Sequence, residues 1–437
     1  MFSRRSPSFP ALACAIIAGA VVGLANGRAG AEALLLVEVD SGKVLHAENA
    51  TYPWYPASVT KLMTTYSTLR AVREGRITLD SLFTVSANAV AQSPTKMGFP
   101  AGTQVTVDNA IKMLMVKSAN DMAVLLAEGV SGSIENFAAE MNRNAERLGM
   151  TQTNYVNPNG LPDDGQITSA RDLAILARAL IREFPEYDYY WHLPGIRMGK
   201  RVVRNYNTLL GRYPGTDGMK TGFICNSGFN LVATATRDGR RLIAVVLGAP
   251  SAAVRAVKAA QLLEQGFGSA PLPWLTPSLG SVESLTPVNA EPVNLHEEMC
   301  GPHHKRPAAE EEEEVSAANA PADSPYATFL ASLRPQPKGA SLLQTDSNLG
   351  EPVVVFTGPP KGQSATQIAS AVNKPAKPTA IAAPKPADSG TGGGPAVAAM
   401  TAVPWLNPDL SPARSIVPLP RARPRMAAEK PDKAQIR

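Results

Sequence analysis

Apolar residues in the first 270 positions recur at two periods. Near both ends of this stretch they form short extended runs around tight turns. Leu34 to Val39 and Lys43 to His46 flank Asp40-Ser41-Gly42, a turn with glycine where a positive φ is wanted. Phe229 to Thr236 and Arg241 to Leu247 flank Arg237-Asp238-Gly239-Arg240 in the same way. Both pairs predict antiparallel hairpins. Between them the apolar spacing is helical, over Lys61–Val72, Ala110–Val116, Asp121–Ala127, Ile134–Leu148 and Ala170–Ile181, with a last helix over Ala252–Leu263. Ser169-Ala170-Arg171-Asp172 has the order of a helix-capping segment. Strands from both ends of a chain, with helices inserted between them, predict one antiparallel sheet covered by helices: an α+β domain over residues 32–270.

The pattern changes after residue 270. Residues 271–437 are rich in Pro, Ala, Ser and Lys and carry a glutamate run, Glu310 to Glu314. Such a segment buries too little apolar surface to offset its ordering entropy, so a long, mostly disordered tail is expected. Its apolar islands, Tyr326–Leu333 and Val353–Phe356, read as transient contacts, with docking peptides for weak envelope contacts as the sharper alternative. At the other end, Arg4 and Arg5 precede an apolar run over Ala11–Ala25 and a small-residue site at Ala29-Gly30-Ala31. That order predicts a signal peptide over residues 1–31 and export to the periplasm or cell envelope.

Charge and cysteine content narrow the picture. The net charge of +5 comes without a dense basic block interleaved with aromatics, which excludes a nucleic-acid partner. Two cysteines follow the expected cleavage site, Cys225 and Cys300. An exported chain permits a bridge between them, and nothing in the sequence requires one. Cys300 with His303 and His304 lacks a fourth ligand, so no metal and no cofactor are expected.

Three short motifs carry the candidate chemistry: Ser58-Val59-Thr60-Lys61, Ser118-Ala119-Asn120 and Lys220-Thr221-Gly222. Each is weak alone; in this order and at these separations they form the set used by penicillin-recognising serine acyl-transferases. Serine and lysine three apart share one helical face, with Cβ atoms about 5–6 Å apart. Pro56-Ala57 place Ser58 at a helix start, where free N–H groups favour a developing anion. A serine hydroxyl needs a base, and Lys61 serves only when neutral; burial and a second cation, for which Lys220 is the candidate, both lower a lysine pKa. Ser118 is the candidate relay of a proton to the leaving amine, and Asn120 the candidate holder of substrate amide and Lys61. Lys220 and Thr221 suit a substrate carboxylate, and Gly222 leaves room for a substrate lying along a sheet edge. The N–H groups of Ser58 and Phe223 are candidate oxyanion donors.

Around these motifs the chain resembles the low-molecular-mass penicillin-binding proteins of the D-alanyl-D-alanine carboxypeptidase type. The matching stretches are Pro56 to Thr64, Ser118 to Ala123, Asn157-Pro158-Asn159-Gly160-Leu161-Pro162, Ser169 to Ala174, Asp217 to Phe223 and Gly228 to Ala233, within about residues 32–268. The resemblance implies a β-lactamase/transpeptidase-like fold. It also implies removal of the terminal D-alanine from peptidoglycan stem peptides through an acyl-serine, and β-lactams as covalent inhibitors. Many members of that family carry a small β-rich domain and an amphipathic membrane helix after the catalytic domain. The sequence after residue 270 shows neither alternating strands nor an amphipathic ending, since Pro412 and Pro418 interrupt Leu410–Leu419. Members also often place a basic residue near Asn205-Tyr206-Asn207, where this chain has Tyr206.

Three other readings use the same residues. A D,D-endopeptidase would cut cross-links rather than release D-alanine. A β-lactamase needs a water held by a glutamate, and the one Glu-x-x-x-Asn match between Asn120 and Lys220 runs from Glu140 to Asn144 inside a helical pattern, where it reads as a solvated face. A catalytically silent wall-binding scaffold is disfavoured because all three motifs are intact.

Overall fold

Strands β1 (Ala33–Glu38) and β2 (Val44–Glu48) form the first hairpin, and β8 (Gly228–Arg237) and β9 (Arg240–Ala249) the second. The computed structural model describes residues 32–268, 278–302, 339–344, 349–359 and 362. The two hairpins join through β1 and β9, whose ladder pairs Ala33 with Leu247 and Glu38 with Leu242. Strand β7 (Thr216–Ile224) adds beside β8, so the five-stranded sheet runs β2-β1-β9-β8-β7, antiparallel throughout, with β7 at an edge. Leu242 to Ala249 are all buried, as in a strand covered on both faces.

The helices are α1 (Lys61–Arg73), α2 (Ala87–Ala91), α3 (Val107–Val116), α4 (Asn120–Ser131), α5 (Ile134–Leu148), α6 (Ala170–Glu183) and α7 (Ala252–Gly268). They fall where the apolar period placed them, except the five-residue α2, which the period did not indicate. Ser169 Oγ accepts from the N–H of Asp172, which makes the predicted cap of α6 real. Helix α4 is buried from Asn120 to Ala127 on all its faces, the signature of a helix running through a core. Helix α7 packs so closely on the sheet that a Cβ on Gly266 would lie 2.6 Å from Leu242 and 2.8 Å from Leu36.

Smaller elements escape the period. Strands β3 (Leu82–Thr84) and β4 (Gln104–Thr106) form a two-stranded ladder, and β5 (Gly195–Met198) pairs with β6 (Arg201–Arg204). Each has three or four residues, too few to show alternation. Strand β7 is hidden for another reason: Gly215, Gly218 and Gly222 mask its alternation and give it the look of a turn leading to a strand. Glu140 lies on α5 as expected, but its carboxylate accepts from Arg76 and from Ser131 Oγ at 2.8 Å rather than standing in solvent.

Beyond residue 270, in the stretch expected to be mostly disordered, short described segments lie on the domain. Residues 278–302 lie along the domain and include α8 (His296–Cys300). Val353–Val354 (β10) pairs in parallel with Ile196 and Arg197 of β5, at the place expected to make only transient contacts. Average composition hides the reason: Val282, Leu295, Met299 and Val355 are each at most 6% exposed, filling slots on a core that already exists. The expected island at Tyr326–Leu333 and the expected signal peptide lie outside the described residues. Among the described residues no helix is long and apolar enough to cross a membrane, and no cluster of His, Cys, Asp and Glu is arranged to hold a metal.

The bridge left open by the sequence is formed: Cys225 and Cys300 are bonded, with Cα atoms 5.6 Å apart at a sequence separation of 75. Unreduced protein should therefore take up no alkylating reagent at either cysteine in a mass spectrum, and reduced protein should take up one at each. Closing so long a loop is worth about 2–4 kcal/mol, so Cys225→Ser with Cys300→Ser should lower the unfolding free energy by that amount in urea titration.

Candidate active site

The segment before α1 is a single 3₁₀ turn, Ala57–Thr60, with Ala57 at φ +49°. In a 3₁₀ turn residues i and i+3 eclipse, which stacks the side chain of Lys61 over that of Ser58. Lys61 Nζ lies 2.8 Å from Ser58 Oγ, 2.8 Å from Asn120 Oδ1 and 2.7 Å from the carbonyl oxygen of Asn159. Lys61 is fully buried, whereas Ser58 keeps partial exposure. An amine that has lost its water depends on such oxygens for every hydrogen bond it makes.

Each of these partners is held in turn. Asn120 opens α4, and its Nδ2 donates to the carbonyl of Ser93 at 2.9 Å. Asp121 beside it accepts from the N–H groups of Met97 and Gly98, and Thr95 Oγ1 donates to the carbonyls of Lys117 and Ser118. The loop around residues 93–98 is thereby laid over the break between α3 and α4. Ser118 occupies that break at φ +59°, buried, and its Oγ has no hydrogen-bond partner among the described residues. A left-handed serine with an unsatisfied buried hydroxyl is the kind of strain that collects at working sites.

Opposite the turn stands β7. Lys220 pairs with Val232, Thr221 with Leu231 and Gly222 with Asn230. Lys220 and Gly222 share one face by the two-residue period of a strand. Gly222 faces the turn that carries Ser58: an added Cβ would lie 2.7 Å from the nitrogen of Ser58 and 3.0 Å from that of Val59. Lys220 is buried, and its Nζ donates to the carbonyl of Thr221 at 2.9 Å. Phe223 stacks on Phe229 with ring centroids 4.3 Å apart. Ser58, Lys61 and Asn120 thus form one hydrogen-bonded cluster, and β7 brings Gly222 and its neighbours Thr221 and Phe223 against it. Among the described residues no hydrogen bond ties the Ser118 hydroxyl to either lysine.

Several positioning residues lie outside the three motifs. Asn230 Nδ2 donates to the carbonyls of Tyr55 and Pro56, and Asn230 Oδ1 accepts from Gly248 N–H, so one buried amide ties the turn to β8 and β9. An asparagine inside the apolar run Phe229–Ala233 is the signal for it in the sequence. Asn207 Nδ2 donates to the carbonyl of Gly218 and fixes the start of β7, which gives the Asn205-Tyr206-Asn207 stretch a structural task. Gln166 Nε2 donates to Thr60 Oγ1, and Thr64 Oγ1 to the carbonyl of Pro158. Next to the turn, Tyr55, Pro162, Asp163, Asp164, Ile224 and Asn226 line a cavity of about 380 Å³. Burial pushes the Tyr55 hydroxyl above its ordinary range, and the charges of Asp164 and Glu291 add to the shift.

A buried lysine is locked between a serine, an asparagine and a carbonyl, beside an edge strand, and known proteins share this arrangement's sequence. A family profile described as D-alanyl-D-alanine carboxypeptidase matches residues 22–251, more than half of the chain. The chain belongs to this family. Similar D-alanyl-D-alanine carboxypeptidases include DacA of Haemophilus influenzae, 37% identical over 244 residues, which are 55% of this chain and 62% of that protein. DacC of Escherichia coli K12 is 39% identical over 245 residues, covering 54% and 61%. The chain therefore spans about three-fifths of the length of these curated relatives. Among solved structures, penicillin binding protein 6B from Escherichia coli aligns with TM-score 0.52 at 37% identity, over 54% of this chain and 76% of that one. Penicillin binding protein 5 from Haemophilus influenzae aligns with TM-score 0.51 at 36% identity, over 54% and 70%. The helix-covered antiparallel sheet is thus the β-lactamase/transpeptidase-like fold that the sequence resemblance implied.

The closeness of the Asn157–Pro162 loop to the Ser58 turn can be tested by stability. Gly160 and Gly132 both have positive φ, +83° and +81°, but only Gly160 lies against backbone, where an added Cβ would sit 1.8 Å from the carbonyl oxygen of Ala57. Gly132→Ala should cost about 1 kcal/mol in urea unfolding, the effect of φ alone. Gly160→Ala should cost about 3 kcal/mol more, or prevent folding, because backbone must move.

Proposed function

We propose that this chain is a serine D-alanyl-D-alanine carboxypeptidase that removes the terminal D-alanine from peptidoglycan stem pentapeptides. The observation that carries the reading is the 2.8 Å approach of a fully buried Lys61 Nζ to Ser58 Oγ beside the edge strand β7. A neutral amine has two N–H donors and one lone pair. Asn120 Oδ1 and the carbonyl of Asn159 are placed to take the two donors, which turns the lone pair toward the Ser58 hydroxyl.

The substrate lies along β7, with its terminal carboxylate at Lys220 and Thr221 and its scissile carbonyl next to Gly222. Lys61 takes the hydroxyl proton as Ser58 Oγ attacks that carbonyl. The N–H groups of Ser58 and Phe223 receive the oxyanion; one such donor contributes roughly 2.7–4 kcal/mol in comparable sites. The proton then passes from Lys61 through Ser118 to the departing nitrogen, D-alanine leaves, and an ester to Ser58 remains. Water attacks the ester, Lys61 again taking a proton, and the freed Ser58 recovers its own. A β-lactam enters by the same route, but its ring-opened amine stays attached and blocks water, so the adduct persists. Glu140 holds no water at that ester, since its carboxylate is engaged with Arg76 beyond the far end of α1, about 18 Å along the helix from Lys61. Residues 1–31 are proposed to direct export, and residues 32–268 to carry the site.

Incubation with a pentapeptide-bearing wall fragment should release free D-alanine and shorten the stem by one residue in the mass spectrum. Recovery of split cross-linked dimers alone would assign the endopeptidase reaction instead. A fluorescent penicillin should label the protein on Ser58, and Ser58→Ala should abolish labelling; an unlabelled wild type would leave the scaffold reading. Lys61→Ala should lower the acylation rate by about a thousandfold or more, measured by stopped labelling, with the fold retained by circular dichroism.

A further inference from the structure

Residues 280–302 follow the expected end of the domain, and no step of the reaction above uses them. Their course is specific. The N–H of Val282 donates to the carbonyl of Gly42, and that of Val44 to the carbonyl of Gly280, which anchors the segment at the β1–β2 turn. Val288 N–H then donates to the carbonyl of Thr51, and Val293 N–H to that of Pro53. Leu295 N–H donates to the carbonyl of Asn226, and Cys300 closes the bridge to Cys225. One short segment therefore holds two others. The first, residues 51–54, ends four residues before Ser58. The second, Cys225 and Asn226, begins two residues after Phe223.

Trp54 shows how tightly they are joined. Its backbone bridges both Thr168 and Val293, its indole N–H donates to the carbonyl of Ser227 at 3.0 Å, and it is fully buried. Leu295 is buried against the same turn: an added Cβ on Gly228 would lie 3.1 Å from its Cδ1. The two donors proposed for the oxyanion, the N–H groups of Ser58 and Phe223, sit next to these two segments, which are far apart in sequence. Their separation is useful only if held to a fraction of an ångström.

We propose that residues 280–302, locked by Cys225–Cys300, are a positioning clamp that sets the spacing of the two oxyanion donors. This rests on the acyl-serine reading above. The clamp acts through Ser58 and Phe223 and touches no reacting atom. Loosening it removes stabilisation realised in the transition state, so kcat and kcat/KM fall together while KM holds.

The test compares the oxidised wild type with the Cys225→Ser, Cys300→Ser double variant. Assays run well below the unfolding midpoint, and active centres are counted by penicillin titration. The expected result is a fall of roughly tenfold or more in kcat per active centre for a D-Ala-D-Ala peptide, with KM changed less than about threefold and the pH profile unmoved. Folded wild type reduced in place by a phosphine serves as the second measurement should the variant fail to fold. It should lose activity to the same extent and regain it on reoxidation. A per-centre kcat within about twofold of the oxidised enzyme, in variant or reduced protein that is merely less stable, overturns the clamp. Absence of penicillin labelling in the oxidised wild type overturns the acyl-serine reading itself, and the clamp with it, by a separate observation.

Discussion

Burial of one amine organises this protein. Lys61 has no exposed surface, so the oxygens around its Nζ must come from the fold. Ser58 Oγ comes from the 3₁₀ turn, Asn120 Oδ1 from the start of α4, and the Asn159 carbonyl from a loop nearly a hundred residues downstream. An amine stripped of water has only these oxygens to meet its hydrogen-bonding capacity. The same amine is a liability if any of those oxygens moves, because a buried polar group left unsatisfied costs about 1–3 kcal/mol and more if charged. The supporting contacts meet that constraint: Asn120 on Ser93, Thr64 on Pro158, and Gln166 on Thr60.

A second constraint is the close approach of two backbones. The Ser58 turn and β7 come so near at Gly222 that no side chain fits between them. Strands of a sheet are ordinarily spaced by hydrogen bonds, but the turn is not part of the sheet. Asn230 supplies the missing tie, since its amide joins the carbonyls before Ser58 to the N–H of Gly248. Arg255, buried beside it, donates to the Asn230 carbonyl at 3.3 Å. Strand β7 remains at the edge of the sheet, with β8 as its one neighbour there.

The family fold occupies about half of the chain, and short pieces from beyond residue 278 lie back on it. Val282, Leu295 and Val355 are buried, and Phe356 N–H donates to Asn109 Oδ1. A segment that cannot build a core of its own can still contribute a few apolar residues to an existing one. Its ordering cost is then met by main-chain hydrogen bonds and, at Cys300, by a covalent link.

Local sequence suffices for the long helices, both hairpins and the three motifs, because these depend on apolar period, turn chemistry and residue identity. The pattern from Ile134 to Leu148, for example, is the helix observed. Local sequence also brings Ser58 and Lys61 together, since three residues along one turn fix their distance. It does not say that the Asn159 carbonyl completes the lysine site, or that Asn230 ties the Ser58 turn to the sheet. Nor does it say that Cys225 meets Cys300. Only the folded chain settles these, because each pairs residues far apart through main-chain atoms, buried amides or a covalent bond. No local period encodes such a pairing: any residue carries the same carbonyl, and the fold chooses which one arrives.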